Sequence, residues 1–410
     1  MEKITIKEFG PIKQAEIEVK EICVLIGHTS SGKSTIAKLL DIFNSMEFYC
    51  IGPGDDLSQF VALLRRYNID FKFGDETSIR YVKESYHWTI NKEGVQTDYP
   101  YSDIINHWRQ NPYPFSEQPS SIKELLLSII EKLDERAKSE FVDIVKKIGQ
   151  ATEETHIPQT YPFYKLIIDH IYNGNPSIYI PAERILMSIL SQAIYSLYDR
   201  NINLPASLKK FANLYSMAKR QSESYAIDFL DILVHFDNKK GNDGFILGSG
   251  DKVDLAQASS GLQSLIPMLS VFDCMLKDHM LFIIEEPELN LYTKVQKNLV
   301  EYLVRQAKLN HAKLFITTHS PYVMTALQNL LQAGNIAKES EEKAAEVEKL
   351  IPSEKWIDYD QLTCLFMNAD GTSRNILDPE YHTIGINEMD NVSEELSDIY
   401  DSLLDIKYHE

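Results

Sequence analysis

The stretch EICVLIGHTSSGKSTIAKLL, Glu21 to Leu40, restricts the fold more than any other part of the sequence. Ile22 to Ile26 is an unbroken apolar run of strand length, Gly27 to Ser34 matches GxxxxGK[ST], and Ile36, Leu39, Leu40 and Phe43 then recur at helical spacing. A buried strand must therefore turn through a loop into a helix whose amino end faces that loop. Gly27 and Gly32 let the backbone curl until several main-chain N–H groups point inward, and the positive end of the helix dipole adds to them. Thr29, Ser30, Ser31 and Thr35 belong to the same cradle and are candidate nucleotide contacts. The pattern expects Lys33 to reach the β and γ phosphates and the Ser34 hydroxyl to serve as a ligand for Mg2+.

At 410 residues the chain is long enough for a substantial core in one large domain or several ordinary ones. No apolar run approaches the roughly 18 residues of a membrane helix. The start, MEKITIKEF, lacks a signal peptide's apolar stretch, so the expected compartment is the cytoplasm, with no membrane partner. Cys23, Cys50, Cys274 and Cys364 are far apart and form no CxxC, which fits reduced thiols. A formal charge of −19 argues against broad adhesion to nucleic acid and leaves only a local basic patch for that role.

Before the phosphate loop, Ile4 and Ile6, then Ile17 and Val19, alternate with polar residues around Gly10-Pro11 and predict two short strands. After it, from about 46 to 244, nucleotide motifs are absent. Strand patterns there centre on Ile69, Phe71 and Phe73, on Ile79 and Tyr81, and on Tyr86, Trp88 and Ile90; Ser121 with Glu124 forms a capping box for a helix to about Lys147. SIYIP, Ser177 to Pro181, reads as a buried strand running into Glu183 and Arg184, where an ion pair is weighed against an Arg184 that approaches nucleotide or partner. Lys209, Lys210, Lys219 and Arg220 interleave with Phe211 and Tyr215, the one stretch to nominate for nucleic acid or an acidic partner, though a solvated helix face explains it as well. Asp55, Asp56, Asp70 and Lys72 mimic the spacing of a restriction-type nuclease, but Asp70 and Lys72 also fit the outward face of a strand.

From Phe245 onward the chemistry returns. Ser259-Ser260-Gly261-Leu262-Gln263 opens a helical pattern; Leu281 to Ile284 is a buried strand ending in Glu285-Glu286-Pro287-Glu288; Leu314 to Ile316 is another, ending in Thr317-Thr318-His319-Ser320. Strand, helix and strand at these lengths make a parallel sheet flanked by helices. Ligands bind beyond the carboxyl ends of such strands, where Gly27, Glu285 and His319 all fall. Further on, WIDYDQLTCLFMNADGTSRNIL predicts two strands around Asp370-Gly371, and Ser393 is expected to cap a last helix striped by Leu396, Ile399, Leu403 and Leu404.

In this order the motifs resemble the ABC-type ATPases, and more closely the OLD-like branch with the ATPase subunits of anti-phage systems of the Septu and PARIS kinds. Five runs carry the likeness: ITIKEFGPIKQAEIEV, GHTSSGKST, SSGLQ in place of the signature, FIIEEPELNL as Walker B and ITTHSPYVM as the histidine switch. It implies an α/β P-loop NTPase of ABC-ATPase type, with a mostly parallel central sheet, an amino-terminal antiparallel β portion and a large α+β insertion. The expected segments are 1–45, the lobe with the phosphate loop; 46–244, an inserted β-hairpin and helical subdomain; 245–332, signature, Walker B and histidine switch; and 333–410, an acidic carboxy-terminal extension.

The resemblance also implies roles. Glu285 would orient Mg2+, Glu286 would act as general base on the attacking water, and His319 would hold that base and the γ phosphate in register. Ser260 and the Gly261 amide would contact the γ phosphate of an ATP held by a second copy, so that a homodimer sandwiches two nucleotides. Asn290, Tyr292 and Thr293 depart from that branch's usual histidines and proline, and no residue is assigned to adenine, with Phe9 the one candidate. Full-length OLD nucleases continue into a nuclease domain where this sequence ends, so the expectation is a sensor or switch acting on a separately encoded effector, a nuclease or toxin. The alternative is a RecF-like repair ATPase that clamps DNA.

Overall fold

The computed structural model describes residues 2–51, 57–99, 177–190, 204–222, 224–236, 243–385 and 387–408. The capping box at Ser121, its helix, and Asp55 and Asp56 lie outside them. The centre is a sheet ordered β15-β14-β3-β13-β12-β7, built from β3 (Ile22–Gly27), β7 (Ile178–Ile180), β12 (Leu281–Glu285), β13 (Lys313–Thr318), β14 (Leu362–Met367) and β15 (Ser373–Asn375). Every pairing from β14 to β7 is parallel, and β15 alone runs antiparallel at one edge. β7 comes from within 46–244, and β14 and β15 from within 333–410. The sheet therefore draws on each of the four ranges 1–45, 46–244, 245–332 and 333–410 expected from the sequence.

Alternation along β3 explains how this sheet holds two layers apart. Cys23 and Leu25 face one core, with Leu281, Ile283, Phe315, Leu365 and Met367 from neighbouring strands. Ile22, Val24 and Ile26 face the other, with Ile178, Phe282, Ile284, Leu314, Ile316 and Cys364. Strands buried on both faces are apolar throughout, which is why these runs contain no polar alternation.

On the first face lies α1 (Lys33–Phe43), pressing Ile36, Leu39, Leu40 and Phe43 inward. It is covered by an antiparallel sheet ordered β2-β1-β4-β5-β6, formed from β1 (Glu2–Phe9), β2 (Ile12–Glu18), β4 (Ser78–Lys83), β5 (Tyr86–Asn91) and β6 (Gly94–Thr97). β1 pairs with β4, Ile4 opposite Tyr81 and Ile6 opposite Ile79, and Tyr81 stacks on Phe43 with ring centroids 4.6 Å apart. Residues 69 to 73, expected as a strand, form none. Phe71 and Phe73 instead pack their rings on Phe9 at 5.4 and 5.3 Å, so apolar alternation there serves a loop folded onto an aromatic cluster. Phe9 is fully buried in that cluster and cannot stack on adenine. Asp70 lies in this loop and pairs with Arg65 at the end of the helix Leu57–Arg66, so Asp70 and Lys72 do not share the strand face that the nuclease lookalike requires.

The opposite face carries α5 (Ala206–Gln221), α6 (Ser260–Met275), α7 (Thr293–Leu309) and α8 (Pro321–Ala337), after the earlier short helices α2 (Met46–Tyr49), α3 (Leu57–Arg66) and α4 (Leu186–Leu190). Beside them a second antiparallel sheet runs β11-β10-β9-β8, from β8 (Ser224–Ile227), β9 (Ile232–Phe236), β10 (Asp243–Leu247) and β11 (Lys252–Asp254). In α5 much of the basic, aromatic stretch is absorbed by packing, although Arg220 is exposed. Phe211 and Tyr215 are buried, Lys210 pairs with the buried Asp41 on α1 at 2.8 Å, and Lys219 pairs with Asp243 at 2.9 Å. After α9 (Glu341–Leu350), the closing helix α10 spans Asn387–Tyr408, so it begins upstream of Ser393, the expected cap position. Helix formers such as Glu388 and Met389 extend it upstream of the serine. Leu396, Ile399 and Leu403 on α10 are exposed.

Among the described residues no helix is long and apolar enough to cross a membrane. All four cysteines are free. A half-buried acid gives the fold a pH signature. Burial of Asp273 on α6, opposed by a 2.8 Å hydrogen bond from the Tyr302 hydroxyl on α7, raises its pKa from 3.8 to about 6. A raised carboxyl pKa means the folded state holds a proton that the unfolded chain has released, so this group costs stability above pH 6 and stops doing so as pH falls toward 4. Asp273→Asn keeps an acceptor for Tyr302 without the charge. It is expected to raise Tm by about 1–2 °C at pH 8, with the gain fading toward pH 4, measurable by calorimetry.

Candidate functional site

Parallel register brings three strand ends level. Met367 of β14 is opposite Gly27 of β3, Ile26 is opposite Thr318 of β13, and Thr317 is opposite Glu285 of β12. The phosphate loop, the histidine and the acidic pair therefore meet at one edge of the sheet.

Gly27 has φ +142°, and a Cβ there would lie 2.2 Å from the Met367 carbonyl oxygen, so no other residue fits where the loop leaves β3. His28, Thr29, Ser30 and Ser34 are exposed on the loop, Thr35 is half-buried, and Ser31, Gly32 and Lys33 are buried beneath. The Lys33 ammonium donates to the carbonyls of Gly27 at 2.9 Å and His28 at 2.6 Å, and Ser31 Oγ donates to the same His28 carbonyl at 2.7 Å. Burial lowers the Lys33 pKa from 10.5 to about 8, against the pull of Glu286 and Glu288.

Glu285 closes β12 and is 3% exposed. Burial raises its pKa, while the hydroxyls of Ser34 and Tyr179 and the charge of Lys38 work in the other direction. Its Oε1 is buried with no hydrogen bond of its own, and so is Thr317 Oγ1 on the adjoining strand. Buried oxygens left without partners beside an exposed serine hydroxyl suit a hard, oxygen-seeking cation. The residues present thus fit Mg2+, with Glu285 and Ser34 as the protein groups that would hold it.

Glu286 turns away from the strand with φ +42°, its N–H held by the Thr317 carbonyl at 2.9 Å. Its carboxylate is part-exposed and lies 3.6 Å from His319 Nε2. Burial and then Lys33 lower the pKa of His319, against Glu286, Glu288 and the Gly27 backbone, so the imidazole is neutral near pH 7.

Two further residues complete the site: Glu288, which has no role assigned from the sequence, and Arg184, whose partner the sequence leaves open between an ion pair and a nucleotide or partner. Glu288 is buried and accepts from Thr318 Oγ1 at 2.6 Å and from the His319 N–H at 2.9 Å, tying Walker B to the histidine switch. It is legible only as the last acid of EEPE. Arg184 neither pairs chiefly with Glu183 nor points to solvent. Fully buried, it donates to the carbonyls of Glu285, Glu286 and Pro181.

Ser260 stands apart, exposed in the first turn of α6. A Cβ on Gly261 would lie 2.7 Å from the Asn290 carbonyl oxygen, so the signature turn packs directly on the loop that follows Walker B. Asn290 in that loop has φ +62°, a conformation asparagine tolerates well, and Tyr292 is exposed.

A phosphate loop, an acidic pair and a histidine on neighbouring parallel strands, with an antiparallel sheet over the loop helix and a Ser-Gly helix start, define a P-loop ATPase fold of the ABC type. The chain belongs to the family described as "AAA domain, putative AbiEii toxin, Type IV TA system", whose model matches residues 22–325. No curated protein matches it. Among solved structures, an Smc head bound to the C-winged helix domain of ScpA is similar at 10% identity and a TM-score of 0.42, covering 92% of this chain and 98% of that one. The SMC head domain of Thermotoga maritima is similar at 11% identity and a TM-score of 0.35, covering 79% and 90%. An Smc head domain with an extended coiled coil, bound to the C-terminal domain of ScpA from Pyrococcus furiosus, gives 12%, 0.33, 97% and 100%.

Proposed function

We propose that the protein hydrolyses ATP at composite sites formed by two copies of the chain, and that this cycle switches a separately encoded effector. The observation that carries the first part is the meeting of Lys33, Glu286 and His319 at the ends of β3, β12 and β13. Lys33 and the loop amides bind the triphosphate. Glu286 accepts the proton of the attacking water, and neutral His319, 3.6 Å from it, orients the carboxylate. Glu285 and Ser34 would hold Mg2+, which when bound offsets the charge of the β and γ phosphates.

The second copy enters through Ser260. Its exposed side chain, at the start of a helix whose dipole favours anions, is available to a phosphate held by a partner. Dimerisation and hydrolysis are then linked, because ATP joins the two chains. Specific activity is expected to rise with protein concentration, and Ser260→Arg to lower turnover about tenfold or more while single-chain nucleotide binding persists. Activity per molecule that ignores dilution, and that Ser260→Arg leaves alone, would sink the composite site.

The effector is supported by the likeness of FIIEEPELNL and ITTHSPYVM to the OLD-like branch and to the Septu and PARIS ATPases. Co-expression with the neighbouring gene products is expected to retain one of them through affinity purification, with a yield that changes when a nonhydrolysable ATP analogue is added. For a DNA clamp, two of the basic residues on α5, Lys210 and Lys219, are already committed to Asp41 and Asp243, while Arg220 is exposed.

A further inference from the structure

Arg184 follows β7, the edge strand that pairs with β12 through Ile180 and Ile284. That register brings residues 181 to 184 level with the turn at Glu285 and Glu286. A short 3-10 turn over Ala182–Ile185 then folds the Arg184 side chain beneath Walker B. Nη1 donates to the carbonyl of Glu285 at 2.6 Å and of Pro181 at 3.1 Å, and Nη2 donates to the carbonyl of Glu286 at 2.6 Å. The Ala182 N–H lies 3.5 Å from Glu285 Oε2, so the same turn touches the carboxylate as well.

Glu286 needs this support. A left-handed φ at a non-glycine residue persists only where its surroundings fix it. Here its N–H is held by the Thr317 carbonyl at 2.9 Å and its own carbonyl by Arg184 at 2.6 Å, which pins both ends of the residue. A guanidinium is fully buried here although its hydrogen bonds go to backbone carbonyls and not to a carboxylate, a costly arrangement unless the geometry it imposes is used. The segment reaches one element further: Ser188 Oγ on α4 donates to the Gln263 carbonyl on α6 at 2.6 Å, in the helix that begins with Ser260.

We propose that Arg184 is a positioning residue for ATP hydrolysis, a planar strap that fixes the Glu285-Glu286 turn and thereby aims the Glu286 carboxylate. The proposal rests on the reading of Glu286 as general base. Lysine cannot replace the strap, because one ammonium does not reproduce the fork that meets both carbonyls.

The test uses the full chain with Arg184→Lys, Arg184→Met, Glu286→Gln and the double variant Arg184→Lys/Glu286→Gln, measuring equilibrium ATP binding, kcat and thermal melting. Arg184→Lys is expected to keep ATP affinity within about threefold while kcat falls at least tenfold, with Arg184→Met lower still. On the Glu286→Gln background, Arg184→Lys is expected to change residual turnover less than twofold, since there is no base left to aim. Overturning results are a kcat within twofold of wild type in Arg184→Lys, or losses in binding and turnover that match and that add to those of Glu286→Gln, as general structural damage would. If Arg184→Met fails to fold, Arg184→Lys decides by the same criteria. Wild-type turnover in Glu286→Gln would overturn the general-base reading, whereas loss in Glu286→Gln with none in Arg184→Lys would overturn the strap alone.

Discussion

Glu286→Gln is expected to reduce ATP turnover by about 100-fold or more while leaving ATP bound, because proton abstraction by a positioned base is worth on the order of 10²–10⁴ in rate. Glutamine has the same shape and can still accept a hydrogen bond, but it cannot take up the proton. The backbone at 286 is held by Thr317 and Arg184 and not by its own side chain, so the substitution leaves the turn in place. Removing a carboxylate that faces Lys33 and the phosphates also lowers like-charge repulsion, so affinity for ATP is expected to hold or rise. A dimer that forms on ATP and cannot hydrolyse it should accumulate. Gel filtration with light scattering in Mg-ATP is expected to show a dimer for Glu286→Gln and a mixture for wild type. Full turnover in this variant, together with its loss in His319→Ala, would transfer the base to His319, which burial and Lys33 already hold neutral.

How much of this arrangement can be read from residues alone depends on whether its partners are near in sequence. GHTSSGKST announces itself because the loop, its lysine and its helix are contiguous, and strand alternation correctly sets β1 and β2 before it. EEPELNL and TTHSP are each short, yet buried runs precede both, which places them at strand ends. β7, β12, β13 and β14 are legible as apolar runs, but nothing local says that β7 pairs with β12 or that β14 pairs with β3, since parallel pairing joins strands far apart in the chain. Arg184 shows the consequence. Two of its three partners are main-chain carbonyls more than a hundred residues away, which no charge pattern encodes, so the residues alone suggest only an ion pair or an approach to nucleotide or partner. Phe71 and Phe73 fail for the opposite reason: their alternation is genuine, but the aromatic cluster around Phe9 buries them without a ladder. Glu288 falls between these cases, present in the motif but given meaning only by the Thr318 and His319 contacts.

Lys33→Ala is expected to weaken ATP binding by about 10–100-fold or more, the equivalent of one to two charge-assisted hydrogen bonds to phosphate. Two effects act in the same direction. The ammonium supplies the positive charge nearest the phosphates, and it also ties the Gly27 and His28 carbonyls together, so its loss leaves the cradle less ordered. Stability of the free protein points elsewhere. Lys33 is only 5% exposed, and burial lowers its pKa to about 8, so removing it also removes a desolvation cost that offsets the lost hydrogen bonds. The melting temperature without nucleotide should therefore change by no more than about 2 °C. Saturating ATP stabilises a protein in proportion to the logarithm of ligand concentration over Kd, about 2.7 kcal/mol at a hundredfold excess. The wild-type chain should show that upward shift in Tm, and Lys33→Ala should lose it. An ATP-induced shift of wild-type size in Lys33→Ala would mean that the triphosphate binds somewhere other than the loop between β3 and α1.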